Sequence, residues 1–118
     1  MQPTVISGVS PDSSIATTEI FGPVLIMLSC IGFEDAITIN NSVQYGMSAT
    51  LFTGDLRLIG RFLDEAEAGM LHVNRPGVGA FPHMPHVGTK ASQLGPAECS
   101  EDALDFFTEV RTVTVDVS

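Results

Sequence analysis

Apolar residues occur along this chain in two patterns: short runs typical of strands, and three- to four-residue spacings typical of helices. Strands are predicted at Pro3–Val9, Val24–Ile31, Ser48–Thr53 and Met70–Val73. The run Val24–Ile31 is apolar without alternation, which is typical of a strand covered on both faces in a mostly parallel sheet. That prediction places Cys30 in the interior.

Helical spacing separates these strands. A first helix is predicted over Phe33–Val43, with Tyr45-Gly46 as its stop, and a second runs from a cap at Thr53 or Asp55 to about Ala68. The apolar face of the second helix is predicted to contain Leu56, Ile59, Gly60, Leu63 and Ala66 to Glu67. Strands and helices that alternate with short connections predict right-handed crossovers. The predicted fold class is therefore three-layer α/β, a partial open and mostly parallel sheet with flanking helices in one domain.

Prolines and glycines interrupt residues 75–99, where no regular element is expected. A loop of about 25 residues in a compact domain suggests a binding function. Beyond the loop, Ser100 is expected to cap a helix over Glu101–Thr108. Arg111–Val117 alternates strictly, as in a strand with one exposed face or one that pairs with another chain.

Composition restricts the kind of partner. The 118 residues include 14 acidic and 5 basic side chains, and the net charge of -9 argues against nucleic acid or an anionic membrane. The longest apolar run is far shorter than the ~20 residues of a membrane span. The start of the chain lacks a basic segment followed by an apolar one, so we expect no secretory signal and a cytoplasmic location. The two cysteines lack the spacing of a disulfide framework.

The stretch Glu19-Ile20-Phe21-Gly22-Pro23-Val24 combines a carboxylate, an aromatic ring and a Gly-Pro corner. A carboxylate beside a corner can accept hydrogen bonds from two neighbouring ribose hydroxyls, each contributing about 1.5 to 3 kcal/mol. In an extended backbone, Phe21 would point to the same side as Glu19 and could cover a flat ring. The alternative is an ordinary core Phe21 beside a solvated turn residue Glu19.

This stretch resembles the signature of the aldehyde dehydrogenase superfamily, and further segments resemble it in the same order. They are Pro3-Thr4-Val5-Ile6, Tyr45-Gly46-Met47-Ser48-Ala49, Gly69-Met70 to Val73-Asn74, Lys90-Ala91-Ser92, Leu94-Gly95-Pro96 and Phe107 to Val113. The chain is identified as a member of that superfamily, similar to its C-terminal quarter. The segments Asn74-Arg75-Pro76 and Lys90-Ala91-Ser92 are closer to members that act on semialdehydes.

Two segments depart from the family pattern. Pro85-His86-Val87-Gly88 replaces the usual Pro-Phe-Gly-Gly, and Ser92-Gln93-Leu94-Gly95 replaces Ser-Gly-x-Gly. A glycine lost at a tight turn removes access to positive φ. The local conformation of the loop therefore cannot be carried over from the family.

The resemblance implies a role for several residues. Glu19 would hold the hydroxyls of the nicotinamide ribose, and Phe21 would pack near the nicotinamide ring of NAD or NADP. Asn74 to Pro85 would form one wall of the aldehyde pocket. The substrate-pocket residues would be Asn74, Gly77, Val78, Gly79 and Phe81.

The resemblance also implies an organisation and an activity. Residues 1–110 would be the C-terminal part of the catalytic domain, and residues 111–118 would be an oligomerisation strand that pairs with a neighbouring subunit in a homo-oligomer. The parent activity would be oxidation of an aldehyde to a carboxylic acid. That chemistry requires a nucleophilic cysteine, a glutamate base and a dinucleotide-binding half, all of which lie upstream in the family. We therefore expect the isolated chain to be inactive and not to bind the cofactor.

The residues of this chain that could replace the missing catalytic and cofactor-binding groups are weak candidates. Cys99 lies among acidic residues, whose charge disfavours a thiolate. His83 and His86, with His72, suggest a zinc site, but Pro85 lies between the first two and a further ligand is needed. Gly77-Val78-Gly79 lacks the third glycine and the following helix of a dinucleotide fingerprint.

Two other functions remain open from the sequence. A stand-alone truncated module for oligomerisation or partner binding is suggested by the alternating last strand and by apolar strands that lack sheet neighbours. A residual nucleotide-binding domain would depend on Glu19 alone. We expect its affinity to be too low to measure, because the pyrophosphate site is missing.

Overall fold

The computed structural model describes residues 2–79 and 81–118, and helices and strands alternate through them. The strands are β1 Thr4–Ser7, β2 Val24–Met27, β3 Tyr45–Gly46, β4 Ser48–Leu51, β5 Met70–Val73 and β6 Thr89–Lys90. The helices are α1 Ser14–Thr17, α2 Gly32–Asn41, α3 Leu56–Glu65 and α4 Ser100–Phe107. Every strand and helix that the sequence predicted before residue 75 is present: β5 has the predicted bounds, the others are shorter than predicted, and α1 and β3 are additional.

The strands of the described residues form three separate two-stranded sheets. β1 and β2 are parallel, with Thr4 opposite Val24, and β4 and β5 are parallel, with Ser48 opposite Met70. β3 and β6 are antiparallel. The prediction of a mixed α/β fold with mostly parallel pairing is confirmed. The single continuous sheet is not formed, because no strand of the described residues joins the β1–β2 pair to the β4–β5 pair.

The unit β4–α3–β5 follows the local sequence closely. The Asp55 carboxylate accepts a hydrogen bond of 2.9 Å from the backbone N–H of Arg57, which confirms Asp55 as the cap that begins α3. The predicted apolar face of this helix is only partly correct: Ala66 packs against the core, but two of its leucines do not. Leu56 is 81% exposed and Leu63 is 51% exposed, whereas Phe62 is only 4% exposed. Phe62 is buried because it continues the stripe that begins at Ile59, one helical turn earlier.

The core lies between α2, α3 and the β4–β5 pair. Its buried residues are Ile37, Ala49 and Phe62, and the partly buried apolar residues packed against them are Phe33, Leu51, Ala66, Ala68, Leu71 and Val73. The two helices therefore pack against the same face of this parallel pair.

The first sheet is much more exposed than its sequence predicts. β2 ends at Met27 rather than Ile31, and its Leu25 and Met27 are 62% and 57% exposed. Cys30 follows the strand and is exposed. The predictions of a strand covered on both faces and of a buried Cys30 are therefore wrong. The physical reason is that, among the described residues, β2 pairs with β1 alone, so its outward residues have no neighbouring layer there.

The loop after β5 contains more regular structure than predicted. Thr89–Lys90 forms β6 because its backbone pairs with Tyr45–Gly46, and His86 and Glu98 exchange backbone hydrogen bonds of 2.7 and 3.3 Å. The predicted absence of any regular element in residues 75–99 is thus wrong.

The region after residue 99 differs from the prediction at the start of α4 and in the residues that follow this helix. α4 begins at Ser100 itself, and Cys99 occupies the cap position without a side-chain hydrogen bond. Residues 108–118 form no strand, although Val113, Val115 and Val117 alternate with polar residues. A strand needs a hydrogen-bonded neighbour, and this segment has none within the described chain. Its pairing with another subunit stays a prediction.

The molecule is extended for its length. Its radius of gyration is 19.7 Å, against about 13 to 14 Å for a compact domain of this size. Among residues 2–79 and 81–118, no helix has the length and apolar character needed to cross a membrane.

Candidate cofactor and substrate site

The Gly22-Pro23 corner determines how the first sheet begins. The N–H of Val24 donates to the Gly22 carbonyl at 2.8 Å, and the N–H of Thr4 donates to the Pro23 carbonyl at 2.9 Å. The second bond starts the β1–β2 pairing. The corner thus turns the chain into β2 and sets its register with β1.

Glu19 and Phe21 lie on the exposed connection that leads to this corner. Phe21 is 92% exposed, so the alternative of a core phenylalanine is wrong. Its φ of 51° is left-handed, and the extended backbone that would have placed its ring on the same side as Glu19 is not formed. An exposed aromatic ring beside an exposed carboxylate is nevertheless available to a flat, hydroxyl-bearing ligand.

Glu19 lines a cleft of about 330 Å³, which we term the Glu19 cleft. Hydroxyl and amide side chains line it as well, and they are Thr17, Thr18, Asn40, Tyr45, Ser48 and Ser92. Carboxylate, hydroxyl and amide groups together can both accept and donate hydrogen bonds to sugar hydroxyls. The chemistry of the cleft therefore fits a ribose.

Asn74 ends β5 and ties it to β4. Its side-chain oxygen accepts from the Thr53 N–H at 2.9 Å, and its side-chain nitrogen donates to the Thr53 carbonyl at 2.9 Å. Its φ of 54° turns the chain out of the sheet. In the described chain, the amide of Asn74 is thus used to position the start of the following loop.

The other predicted pocket residues occupy different places. Gly77 packs against β4, where an added Cβ would approach Thr50 Oγ1 to 2.7 Å. Val78 is 74% exposed. Gly79 and Phe81 line a cavity of about 410 Å³ between β5 and the loop. Ala80 belongs to the predicted wall and lies outside the described residues.

This cavity, which we term the β5 cavity, is lined by residues of the predicted Asn74 to Pro85 wall, Arg75 and Met84 among them, and by residues outside that wall. The side chains around it include Met70, His72, Arg75, Met84 and His86. The Arg75 guanidinium carbon lies 5.5 Å from the centre of the Phe81 ring. A sequence signal for Arg75 did exist, since it directly follows Asn74, at the carboxyl end of a parallel strand where ligands commonly bind.

Lys90 anchors the loop, and sequence reasoning assigned it no such role. Its ammonium group donates to the carbonyls of Asn41 at 2.7 Å and Val43 at 3.0 Å, and it pairs with Glu67 at 2.5 Å. The end of α2 is thereby capped by a cation, which the helix dipole favours. The loop is fixed to α2 at this point.

The replaced glycines do not strain the loop. Val87 and Gln93 are absent from the positive-φ residues of the described chain, which include Lys90 and Gly95 nearby. Gln93 instead braces the loop, because its side chain accepts from the Gly88 N–H at 2.6 Å and donates to the Gly95 carbonyl at 2.8 Å. The departure from the family pattern therefore replaces backbone freedom with side-chain hydrogen bonds.

The Glu19 cleft and the β5 cavity are neighbours on the surface. A third, smaller depression shares Met47 and Ser92 with the cleft and His86 with the cavity. Within the ranges 2–79 and 81–118, no group of three His, Cys, Asp or Glu side chains could hold a metal ion.

Comparison with known proteins assigns this architecture to a class. The sequence matches the model of the aldehyde dehydrogenase family over residues 1–113, so the chain belongs to that family. It is 36% identical over 115 residues to alpha-ketoglutaric semialdehyde dehydrogenase of Bacillus subtilis (strain 168). The alignment covers 98% of this chain and 24% of the relative. The chain thus spans about a quarter of the length of that relative.

Solved structures agree with this assignment. The structure of 3,6-anhydro-L-galactose dehydrogenase in complex with NAP matches with a TM-score of 0.84 and 33% identity, over 92% of this chain and 22% of that one. Betaine aldehyde dehydrogenase from Staphylococcus aureus in complex with NAD+ matches with a TM-score of 0.81 and 25% identity. That match covers 90% of this chain and 21% of the other.

Proposed function

We propose that this chain is the C-terminal part of an NAD(P)-dependent aldehyde dehydrogenase, with residues 1–110 belonging to the catalytic domain and residues 111–118 forming its oligomerisation strand. The observation that carries the proposal is the coverage: the family model matches residues 1–113, while the chain spans only about a quarter of its relative. The reaction proposed for the complete enzyme is oxidation of an aldehyde to a carboxylic acid.

The residues of this chain hold ligands and do not carry the reacting groups. Glu19 and the hydroxyls of its cleft would bind the nicotinamide ribose, and Phe21 would cover the nicotinamide ring. The bound cofactor supplies the hydride acceptor. Gly79 and Phe81 would form part of the aldehyde pocket, and Asn74 and Gly77 would hold its wall against β4. The nucleophilic thiolate and the base that the reaction requires are proposed to come from outside this segment.

The proposal is tested on the complete coding region. If the reading frame continues upstream of Met1, the whole product should reduce NAD or NADP when an aldehyde is present. Glu19→Gln should raise the Michaelis constant for the cofactor about tenfold or more, since a charged hydrogen-bond acceptor is lost. The matched control is Glu98→Gln, an exposed carboxylate outside the Glu19 cleft.

The isolated chain provides a second test. It should show no aldehyde-dependent reduction of NAD above the level of its Glu19→Gln variant. Turnover above that control would contradict the proposed division of the active site.

A stand-alone module that self-associates or binds a partner is the second candidate. The exposed apolar residues of β1, β2 and α4 favour it, among them Val5, Leu25, Met27, Leu104, Phe106 and Phe107. A stop codon and a promoter immediately upstream of Met1 would support this candidate. Light scattering that shows a monomer at high concentration would contradict it.

A further inference from the structure

The charge of the β5 cavity differs from that of the rest of the molecule. The chain contains 14 acidic and 5 basic residues. The residues around the cavity include no Asp or Glu, but they include Arg75, His72 and His86. An acid-free cavity with a guanidinium group favours an anion over a cation or a neutral molecule.

Arg75 is available to such an anion. The four salt bridges of the described residues use Arg57, Arg61 and Lys90, and Arg75 takes part in none of them. Its guanidinium carbon lies over the Phe81 ring at 5.5 Å, which restricts the orientation of the side chain, and its N–H groups donate no hydrogen bond to residues 2–79 or 81–118. A planar guanidinium held in this way can donate two parallel hydrogen bonds to one carboxylate.

The remaining surface of the cavity suits a short carbon chain. Met70, Phe81 and Met84 contribute apolar side chains to the same cavity as Arg75. A ligand with a carboxylate at one end and a short hydrocarbon segment next to it would satisfy both parts of the cavity. The related Bacillus subtilis enzyme is named for alpha-ketoglutaric semialdehyde, a molecule of this kind.

We propose that Arg75 binds the carboxylate of a semialdehyde substrate and thereby selects acidic aldehydes over neutral ones. This inference rests on the proposed function for the identity of the ligand as a substrate. Arg75 is a specificity residue in this scheme, and it takes no part in the transfer of hydride or protons.

The binding experiment uses the 118-residue chain labelled with nitrogen-15. The probe is 5-oxohexanoate, a ketone analogue of a five-carbon semialdehyde, and its neutral control is 5-oxohexanamide. The carboxylate should cause saturable chemical-shift changes at Arg75, Phe81 and Met84. The amide should bind about 10- to 100-fold more weakly, because the charged hydrogen bonds are lost. Equal binding of the two ligands, or no saturable change with the carboxylate, would overturn the proposal.

Variants identify the residue responsible. Arg75→Gln should weaken binding of the carboxylate to the level of the amide, and Arg75→Lys should recover only part of the loss, since an ammonium group lacks the paired donors. Arg57→Gln is the matched control, because Arg57 is exposed and already paired with Asp55. Unchanged binding by Arg75→Gln, or an equal loss in Arg57→Gln, would contradict the assignment.

This experiment needs neither cofactor nor turnover, so it separates two failures. Arg75-dependent binding of the carboxylate, in a complete product that does not oxidise aldehydes, would refute the proposed function and leave the anion site standing. A complete product that oxidises acidic and neutral aldehydes equally well, with or without Arg75, would refute the specificity role alone.

Discussion

Phe62 is the most buried residue of the small core, at 4% exposure, while its neighbour Leu63 is 51% exposed. Both are large apolar residues on α3, and the sequence pattern favoured Leu63. The difference arises because a helix of ten residues offers more than one plausible apolar stripe, and only packing against β4 and β5 selects one. Residue type therefore predicted the helix correctly and its buried face only in part.

Substitutions at Phe62 and Leu63 test which face of α3 is buried. Phe62→Ala should destabilise the chain by about 3 to 5 kcal/mol, because it leaves a cavity between α2 and the β4–β5 pair. Leu63→Ala removes a half-exposed side chain and should cost about 1 kcal/mol or less. Chemical denaturation followed by circular dichroism measures both. Equal losses for the two variants would show that α3 packs through a different face.

Helices α2 and α3 are joined by charge as well as by the core. Arg61 donates to the carboxylates of Glu34 on α2 and Glu65 on its own helix, and its guanidinium carbon lies 4.8 Å from the centre of the Phe33 ring. The Arg61 hydrogen bonds lower the pKa of Glu34 below its ordinary value of 4.5. Hydrogen bonds from Arg57 likewise lower the pKa of Asp55 below 3.8.

These shifts predict the direction of the pH dependence. Because the folded-state pKa of Glu34 lies below its unfolded value, its contribution is fully present above about pH 5 and is lost as the pH falls through the folded pKa. The melting temperature should therefore fall on acidification below about pH 5. Glu34→Gln should make that fall shallower. Since the pair is exposed, added salt should reduce the difference between the variants. A Glu34→Gln variant whose melting temperature falls on acidification as steeply as that of the unsubstituted chain would contradict this account.

Lys90 performs a similar joining role between the loop and α2. Lys90→Ala should destabilise the folded chain by about 1 to 2 kcal/mol, because two carbonyls at the end of α2 lose a charged donor. Amide hydrogen exchange in residues 75–99 should accelerate, while exchange in β4 and β5 should change less. Lys90→Arg keeps the charge and should retain most of the protection. Equal acceleration across the whole chain would mean that Lys90 supports global folding rather than the loop.

Many large apolar side chains of the described residues are exposed. Three separate sheets, few buried residues and a radius of gyration of 19.7 Å all have the same physical cause. Sheet edges and apolar faces lie open where a compact α/β domain has further strands and helices. Such surfaces favour association with other protein segments.

We therefore predict that copies of the chain associate through the C-terminal segment, residues 111–118. Sedimentation should show oligomers whose mass depends on concentration, and replacement of Val113, Val115 and Val117 by serine should shift the distribution toward monomer. Thr112→Ser with Thr114→Ser changes the polar side of the same segment and should have little effect. A monomer at all concentrations, or oligomers that ignore the valine substitutions, would contradict pairing through this segment.

Local sequence was sufficient for the elements whose signals lie within a few residues. The Asp55 cap, the β4–α3–β5 alternation, the Gly22-Pro23 corner and the short connections predicted strands, helices and parallel pairing, because capping and backbone preference act between near neighbours. The family resemblance likewise depended on ordered short motifs.

Contacts between segments distant in the sequence determined the features that local sequence did not predict. The division into three sheets, the exposure of Cys30, the buried face of α3 and the meeting of Arg75 with Phe81 depend on which surfaces pack together. Burial and sheet pairing are properties of two partners, and the sequence of one segment does not name the other. The same Val24–Ile31 run that suits a covered strand is therefore half exposed when only β1 lies beside it.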